Sequence, residues 1–339
     1  MIRVKFLSKN PIPDFQFAAK SSQHNDVIFE LNPKSRDYDW LVVYDDLAPL
    51  KNERFAMSQE ELACPAQNTM LLTYEPSSVK LYGKDYTHQF GVVMTSHEEH
   101  ILKHPNRFFM PPVGFWYYGN ADDCANTPTI KHKDLSIFMS AKADKHTMHA
   151  LRYKFLCDIR AHFGDRADIF GKGERFVEKK CEGLDHYRYT LALENHLSPH
   201  HWTEKLSDAY LGYSMPLYAG CQNVSDYFPE DSLIQLDMRD SKAAIDIIEK
   251  TIADNRYEDC LPAIIEARRR VLDDYNLPNY IAGVIKKNTS SYVPQNKGYI
   301  LSRRLKRVQN PGNMLRYGWE KVQNRYYFSR QNRDYRHYL

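Results

Sequence analysis

Between Tyr187 and Gly220 the chain reads YRYTLALENHLSPHHWTEKLSDAYLGYSMPLYAG. Two short, nearly continuous apolar runs, Tyr187–Leu193 and Met215–Ala219, enclose a polar loop and an amphipathic segment opening at Thr203-Glu204-Lys205. Runs that are apolar without alternation are strands covered on both faces. A helix-length link between two such strands makes them parallel and the crossover right-handed. The stretch therefore demands an open, parallel α/β sheet with helices on both sides.

The same stretch has a chemical reading. The first strand ends in Glu194-Asn195, and Thr203 is placed to cap the following helix through its hydroxyl. Unpaired N–H groups and the helix dipole favour an anionic ligand there. Glu204 adds an acceptor for sugar hydroxyls and Lys205 a counter-charge for phosphate, the chemistry of a nucleotide-sugar site. The plainer reading is a capped helix with Glu204 and Lys205 on a solvated face.

At 339 residues and 39.8 kDa the chain exceeds a single typical core, so two domains are expected. In the first, Arg3–Leu7, Trp40–Tyr44, Thr69–Tyr74 and Gly91–Thr95 are strand candidates. Phe108–Pro112 leads to the aromatic cluster Phe115-Trp116-Tyr117-Tyr118, and the composition turns polar between Gly119 and Lys133. In the second, Leu135–Ser140 is a strand and Lys145–Phe163 a helix with Leu151, Phe155, Leu156 and Ile159 on one face. Asp168–Phe170 and Leu233–Leu236 are further strands, with helices from Ser241 and Asp259. The division expected is an N-terminal Rossmann-like domain over 1–125, a second Rossmann-like domain over 133–275 and a helical, basic aromatic tail over 276–339, with no internal repeat.

The net charge of +3 conceals an uneven distribution. From Lys297 onward the acids are Glu320 and Asp334 against a long series of lysines and arginines, interleaved with Tyr317, Trp319, Tyr326, Tyr327 and Phe328. Such a segment suits an anionic membrane surface; nucleic acid would exploit the same charges, and a solvated tail is the plain alternative. The N-terminus lacks a signal-peptide pattern, and no run approaches the length of a membrane span. The six cysteines are widely spaced with no CxxC pair, as for free thiols in a reducing cytoplasm. The expected location is cytoplasmic, peripheral on the membrane if the tail binds lipid.

Other motifs are weaker. Gly171-Lys172-Gly173-Glu174-Arg175 follows a strand but lacks Walker A or GxGxxG spacing. It is a simple turn, unless Lys172 and Arg175 share a cleft with Lys205 and neutralise a diphosphate. His97-Glu98-Glu99-His100 resembles HExxH only superficially, since Ile101 stands where the second His belongs. His196, His200 and His201 cluster without carboxylates at metal-ligand spacing, and no DxD run is suitably placed, so no metal site is expected. Glu75, in Thr73-Tyr74-Glu75-Pro76 directly after a strand, is a candidate general base or a plain helix-entry carboxylate.

YRYTLALEN, WTEKLSDAYLGYSMPLYAG and SDYFPEDSLIQLDMRD together resemble the donor-domain signature of the α-1,3/4-fucosyltransferases, glycosyltransferase family 10. The match runs from about Leu135 to Asp240. It implies a GT-B fold, two Rossmann-like domains facing a cleft with a basic C-terminal tail, binding GDP-fucose mainly through the C-terminal domain. It makes Glu204 a contact to ribose or fucose hydroxyls and Lys205 a contact to the diphosphate. Glu194, Asn195, His201 and Thr203 complete the donor site, with Arg175 or Lys172 as its further cation, and Glu75 matches the catalytic glutamate. The expected activity is inverting transfer of fucose to a glycan hydroxyl, α-1,3 to N-acetylglucosamine or a related sugar of a surface polysaccharide or lipopolysaccharide. No cofactor is implied, and no metal is strictly required. The competing readings are another GDP-sugar on the same fold, a non-catalytic nucleotide binder, and a nucleic-acid-binding protein acting through the tail.

Overall fold

A computed structural model of the chain describes residues 1–9, 26–50, 53, 55–111, 116–139, 148–171, 173–288 and 298–336. It divides into two compact units, Met1–Gly114 with Asn276–Phe328, and Phe115–Tyr275 with Ser329–Leu339.

The first unit contains β1 (Ile2–Ser8), β2 (Val27–Glu30), β3 (Trp40–Tyr44), β4 (Gln59–Glu61), β5 (Thr69–Leu72), β6 (Val92–Thr95) and β7 (Arg107–Phe109). All but β4 form one parallel sheet in the order β2-β1-β3-β5-β6-β7. Its strands read as continuous apolar runs because both faces are covered. Val4, Trp40, Val42, Met70 and Leu72 pack on one side, where Leu277, Ile281, Ala282 and Ile285 of the Leu277–Asn288 helix close the core. The intervening Leu41, Val43, Leu71 and Val93 face the other way, onto Tyr82, Tyr86, Phe90, Leu102 and Ile300. Each such side chain, once buried, stabilises the fold by about 1.5–3 kcal/mol.

The second unit contains β8 (Lys133–Met139), β9 (Ala167–Gly171), β10 (Tyr187–Leu193), β11 (Met215–Ala219) and β12 (Ile234–Gln235). These are parallel in the order β12-β11-β10-β8-β9. The chain starts at β8, steps outward to β9, then returns past β8 to β10. The winding direction thus reverses between β8 and β10, and the crevice outside such a switch point is where open α/β sheets bind ligands.

The segment after 275 differs from the separate tail expected of it. Its residues Asn276–Phe328 belong to the first unit. There β13 (Tyr299–Leu301) pairs antiparallel with β4, and Pro311–Arg336 is one long helix. The aromatics that read as tail decoration are partly structural: Phe328 is buried, and Tyr317 and Tyr327 are half-buried. The helix expected from Lys145 is described from His149 to Phe163, its first residues lying outside the described set.

Candidate active site at a strand switch point

β10 delivers Glu194 to the carboxyl edge of the sheet, where Glu194 N–H bonds the Ala219 carbonyl of β11. The side chain does not reach solvent. It is wholly buried, and its two oxygens accept from the Thr203 N–H and the Thr203 hydroxyl, both at 2.7 Å. Thr203 is the N-cap of the Glu204–Leu211 helix, its hydroxyl accepting from Lys205 N–H. The Lys205 ammonium then sits 3.4 Å from Glu194, 3.0 Å from Glu204 and 3.0 Å from the Thr203 hydroxyl. Glu194 is therefore the anchor beneath the helix start. A buried carboxylate with charge-assisted bonds fixes both the cap and the lysine.

The electrostatics follow from depth. Burial pushes the Glu194 carboxyl up against the opposing pull of Lys205. For Glu204 burial acts in the same direction, but Lys205 and Lys180 outweigh it and hold the carboxyl below its ordinary range. For Lys205 burial works against the charge, and Glu194 with Glu204 overcome it, so the ammonium is held charged beyond the usual lysine range.

These residues border a cavity of about 240 Å³ at the switch point, whose lining includes Phe138, Met139, Arg152, Lys180, Glu204 and Lys205. Arg152, on the His149–Phe163 helix, is buried and reaches the Leu193 carbonyl at 3.4 Å. Its Nε has no hydrogen-bond partner among the described residues. Lys180 pairs with Asp208 at 2.6 Å, and Asp208, itself buried, accepts the N–H groups of Tyr117 and Tyr118 at 2.8 and 3.0 Å. The carboxylates of Glu194 and Asp208 lie deepest, while Lys205 and Lys180 keep about a fifth of their side-chain surface open. Two lysines held by buried acids, with a buried arginine that carries an orphan N–H, form a receptor for a multiply charged oxyanion.

Of the residues expected from sequence, the structure brings Glu194, Thr203, Glu204 and Lys205 together. Asn195 follows directly, its Oδ1 buried and without a partner among the described residues. His201 is buried beside them, its ring edge-on to His196 at 5.0 Å. Arg175 is exposed after β9, its guanidinium over the Phe170 ring at 5.3 Å, and is not among the residues lining the cavity. Lys172 lies outside the described residues. Glu75 belongs to the first unit, where the His97 imidazole Nε2 meets its carbonyl at 2.8 Å.

Arg152, Lys180 and Asp208 went unrecognised in the sequence. Arg152 carried a usable signal: it sits among Leu151, Phe155, Leu156 and Ile159 on the buried face of its helix, where an unpaired charge is out of place. Lys180 opens a single 3-10 turn, Lys180–Gly183, too short for any periodicity to mark it.

Among the described residues, no group of three or more His, Cys, Asp and Glu side chains gathers as a metal-binding set. No helix there is long and apolar enough to cross a membrane.

The family match falls on the same unit. Residues 130–257 match the family described as glycosyltransferase family 10 (fucosyltransferase) C-term. An α-glucosyltransferase in complex with UDP-glucose and DNA containing an abasic site aligns over 84% of this chain and 99% of its own, at 10% identity and a TM-score of 0.51. That likeness is one of fold. An α1,3-fucosyltransferase with GDP-fucose aligns over 87% and 92%, at 17% identity and a TM-score of 0.49. With its two Rossmann-like units the protein has the GT-B architecture. Over residues 130–257 it is similar to the C-terminal domain of glycosyltransferase family 10, the fucosyltransferases.

Proposed function

We propose that the protein transfers fucose from GDP-fucose to a glycan hydroxyl with inversion. The acceptor class is N-acetylglucosamine, taken in α-1,3 linkage, or a related sugar of a surface polysaccharide or lipopolysaccharide. The supporting observation is the switch-point cavity of the second unit, where Lys180 and Lys205 stand on buried carboxylates beside a helix N-terminus and the buried Arg152 joins them. GDP's diphosphate is the oxyanion such a site suits, and Glu204 is the acceptor for donor hydroxyls.

In the reaction, Glu75 takes the proton of the acceptor hydroxyl as its oxygen bonds the anomeric carbon. The bond from that carbon to the diphosphate oxygen breaks, and GDP leaves with the electron pair. Lys205, Lys180 and Arg152, with the dipole of the helix that Thr203 caps, meet the charge growing on the leaving group. This arrangement calls for no metal ion as Lewis acid.

The test is turnover with a panel of GDP- and UDP-sugars. Transfer from GDP-fucose above all others is expected; transfer from another donor with none from GDP-fucose rejects the donor assignment. Lys205→Ala is expected to raise the GDP dissociation constant by about 10–100-fold, the loss of a charged hydrogen bond or more. Glu75→Gln is expected to leave GDP affinity intact while lowering kcat by about 10²–10⁴.

The long helix supports a peripheral membrane location for a cytoplasmic enzyme. Leu315, Trp319, Val322 and Tyr326 form an exposed apolar stripe at alternating four- and three-residue spacing, 58–76% open to solvent, with Arg316, Lys321 and Arg325 beside it. An apolar face flanked by cations fits the surface of an anionic bilayer.

A further inference from the structure

The first unit holds a second cavity, of about 340 Å³, between the Leu81–Lys103 segment and the Pro311–Arg336 helix. Three of its lining side chains also hold the turn that carries Glu75. The Tyr82 hydroxyl accepts the Tyr74 N–H at 3.0 Å. The His97 imidazole Nε2 meets the Glu75 carbonyl at 2.8 Å. The Asn324 amide donates to the Ser77 carbonyl at 3.0 Å. The turn is thus pinned from three directions by groups whose other surfaces face a void.

The lining identifies a ligand class. Asn324 presents a buried Oδ1 that has no hydrogen-bond partner among the described residues. Gln323 adds a second carboxamide, and Glu320 a carboxylate whose oxygens lie 3.2 Å from Lys84 N–H. The rings of His100 and Tyr327 meet at 4.4 Å in the wall. Lys84 and Lys103 are exposed, so solvent screens their charge, and the half-buried carboxylate of Glu320 disfavours a phosphate. Carboxamides and a carboxylate suit hydroxyls, which both donate and accept, and aromatic rings suit the C–H face of a pyranose. The volume lies at the lower end of the ~300–1,000 Å³ typical of small-ligand sites.

We propose that this cavity binds a saccharide, the portion of the acceptor beside its reacting sugar, with Asn324 accepting one of its hydroxyls. The acceptor identity rests on the transferase reading; the binding itself does not. The C-terminal helix is then a wall of the acceptor side, and occupancy is transmitted to Glu75 through Tyr82, His97 and Asn324.

The test uses the full chain without donor and saturation-transfer NMR with galactose, N-acetylglucosamine, lactose and N-acetyllactosamine. Gln323 is exposed at the cavity mouth, so Gln323→Trp fills the space without disturbing the core. Saturable binding of at least one sugar is expected, weakened about tenfold or more by Gln323→Trp and by Asn324→Leu. Lys205→Ala is expected to leave it unchanged while GDP binding falls. No saturable binding overturns the inference whatever the transfer assay reads. So does binding that Gln323→Trp leaves unaltered, or that follows Lys205 instead. A failed GDP-sugar panel with this binding intact would reject the transferase reading alone.

Discussion

Gly220→Ala adds one methyl group and should disable the donor site. Gly220 does not occupy a left-handed backbone region, so its need for glycine is one of space. A Cβ built there would lie 2.4 Å from the Glu194 Cγ and 2.4 Å from the Tyr218 hydroxyl oxygen. Neither neighbour can yield cheaply. Tyr218 is buried in β11, and its hydroxyl receives the Cys221 N–H at 2.9 Å. Glu194 is held by both Thr203 donors and by Lys205. Overpacking of a tight interior costs about 1–3 kcal/mol. If Glu194 swings away to relieve the contact, hydrogen bonds to its charged carboxylate are lost, each worth about 1.5–3 kcal/mol. The destabilisation is roughly 1–3 kcal/mol if the contact is borne and about 3–6 kcal/mol if both Thr203 bonds are lost, the second with loss of the Lys205 position.

Gly283 is the matched control. It lies in the Leu277–Asn288 helix, and an added Cβ meets nothing within 4 Å. Gly283→Ala should therefore stabilise by about 0.5–1 kcal/mol through helix propensity. The assays are denaturant unfolding of both variants and GDP titration by calorimetry. Gly220→Ala should weaken GDP at least tenfold at temperatures where the chain remains folded, and Gly283→Ala should bind like the wild type. Wild-type GDP affinity in folded Gly220→Ala would refute the role of Glu194 as anchor.

Lys131 gives a pH signature. Its ammonium is buried, donating to the Asp185 and Gly212 carbonyls, and burial lowers it from 10.5 to about 8. A depressed folded value means that the unfolded chain binds the proton more tightly. The stabilising contribution is therefore complete above about 10.5 and lost as pH falls through about 8. Wild type should gain roughly 2 kcal/mol on Lys131→Met between pH 8 and 10, read from denaturant midpoints; a constant difference refutes the shift. Turnover with GDP-fucose should survive EDTA, because side-chain cations meet the leaving charge; loss restored by Mg²⁺ would count against that. Trp319→Glu with Val322→Glu should release the protein from phosphatidylserine vesicles while GDP affinity stays constant, and undiminished vesicle binding rejects the membrane-facing stripe.

What the sequence made legible was local. β10 and β11 begin and end where the apolar runs do, and Thr203 caps its helix as its position predicts. The depth of Glu194 was not legible, because a polar residue at a strand end looks the same whether solvated or buried. Its burial depends on Gly220, one strand over, leaving room. Arg152 and Lys180 were missed because the fold brings them in from separate elements. β4 was missed because Gln59-Glu60-Glu61 has no apolar character; it is a strand by virtue of pairing with β13. That pairing also explains why the segment after 275 was misread as a tail: its anchor points lie in the first unit.

The two units therefore encode their chemistry differently. On the donor side, Glu194, Thr203, Glu204 and Lys205 come from one contiguous stretch, so a motif can represent most of the site. The Glu75 turn is instead held by partners at sequence separations of 8, 22 and 247 residues. No contiguous pattern can describe that assembly. A change at Gln323 or Tyr327 alters the wall of the first unit's cavity without touching any donor contact. On the proposed function, acceptor preference and donor preference are in that sense separable in this fold. If so, exchanging the Pro311–Arg336 helix faces between two such enzymes should move acceptor choice while the GDP-sugar used stays the same.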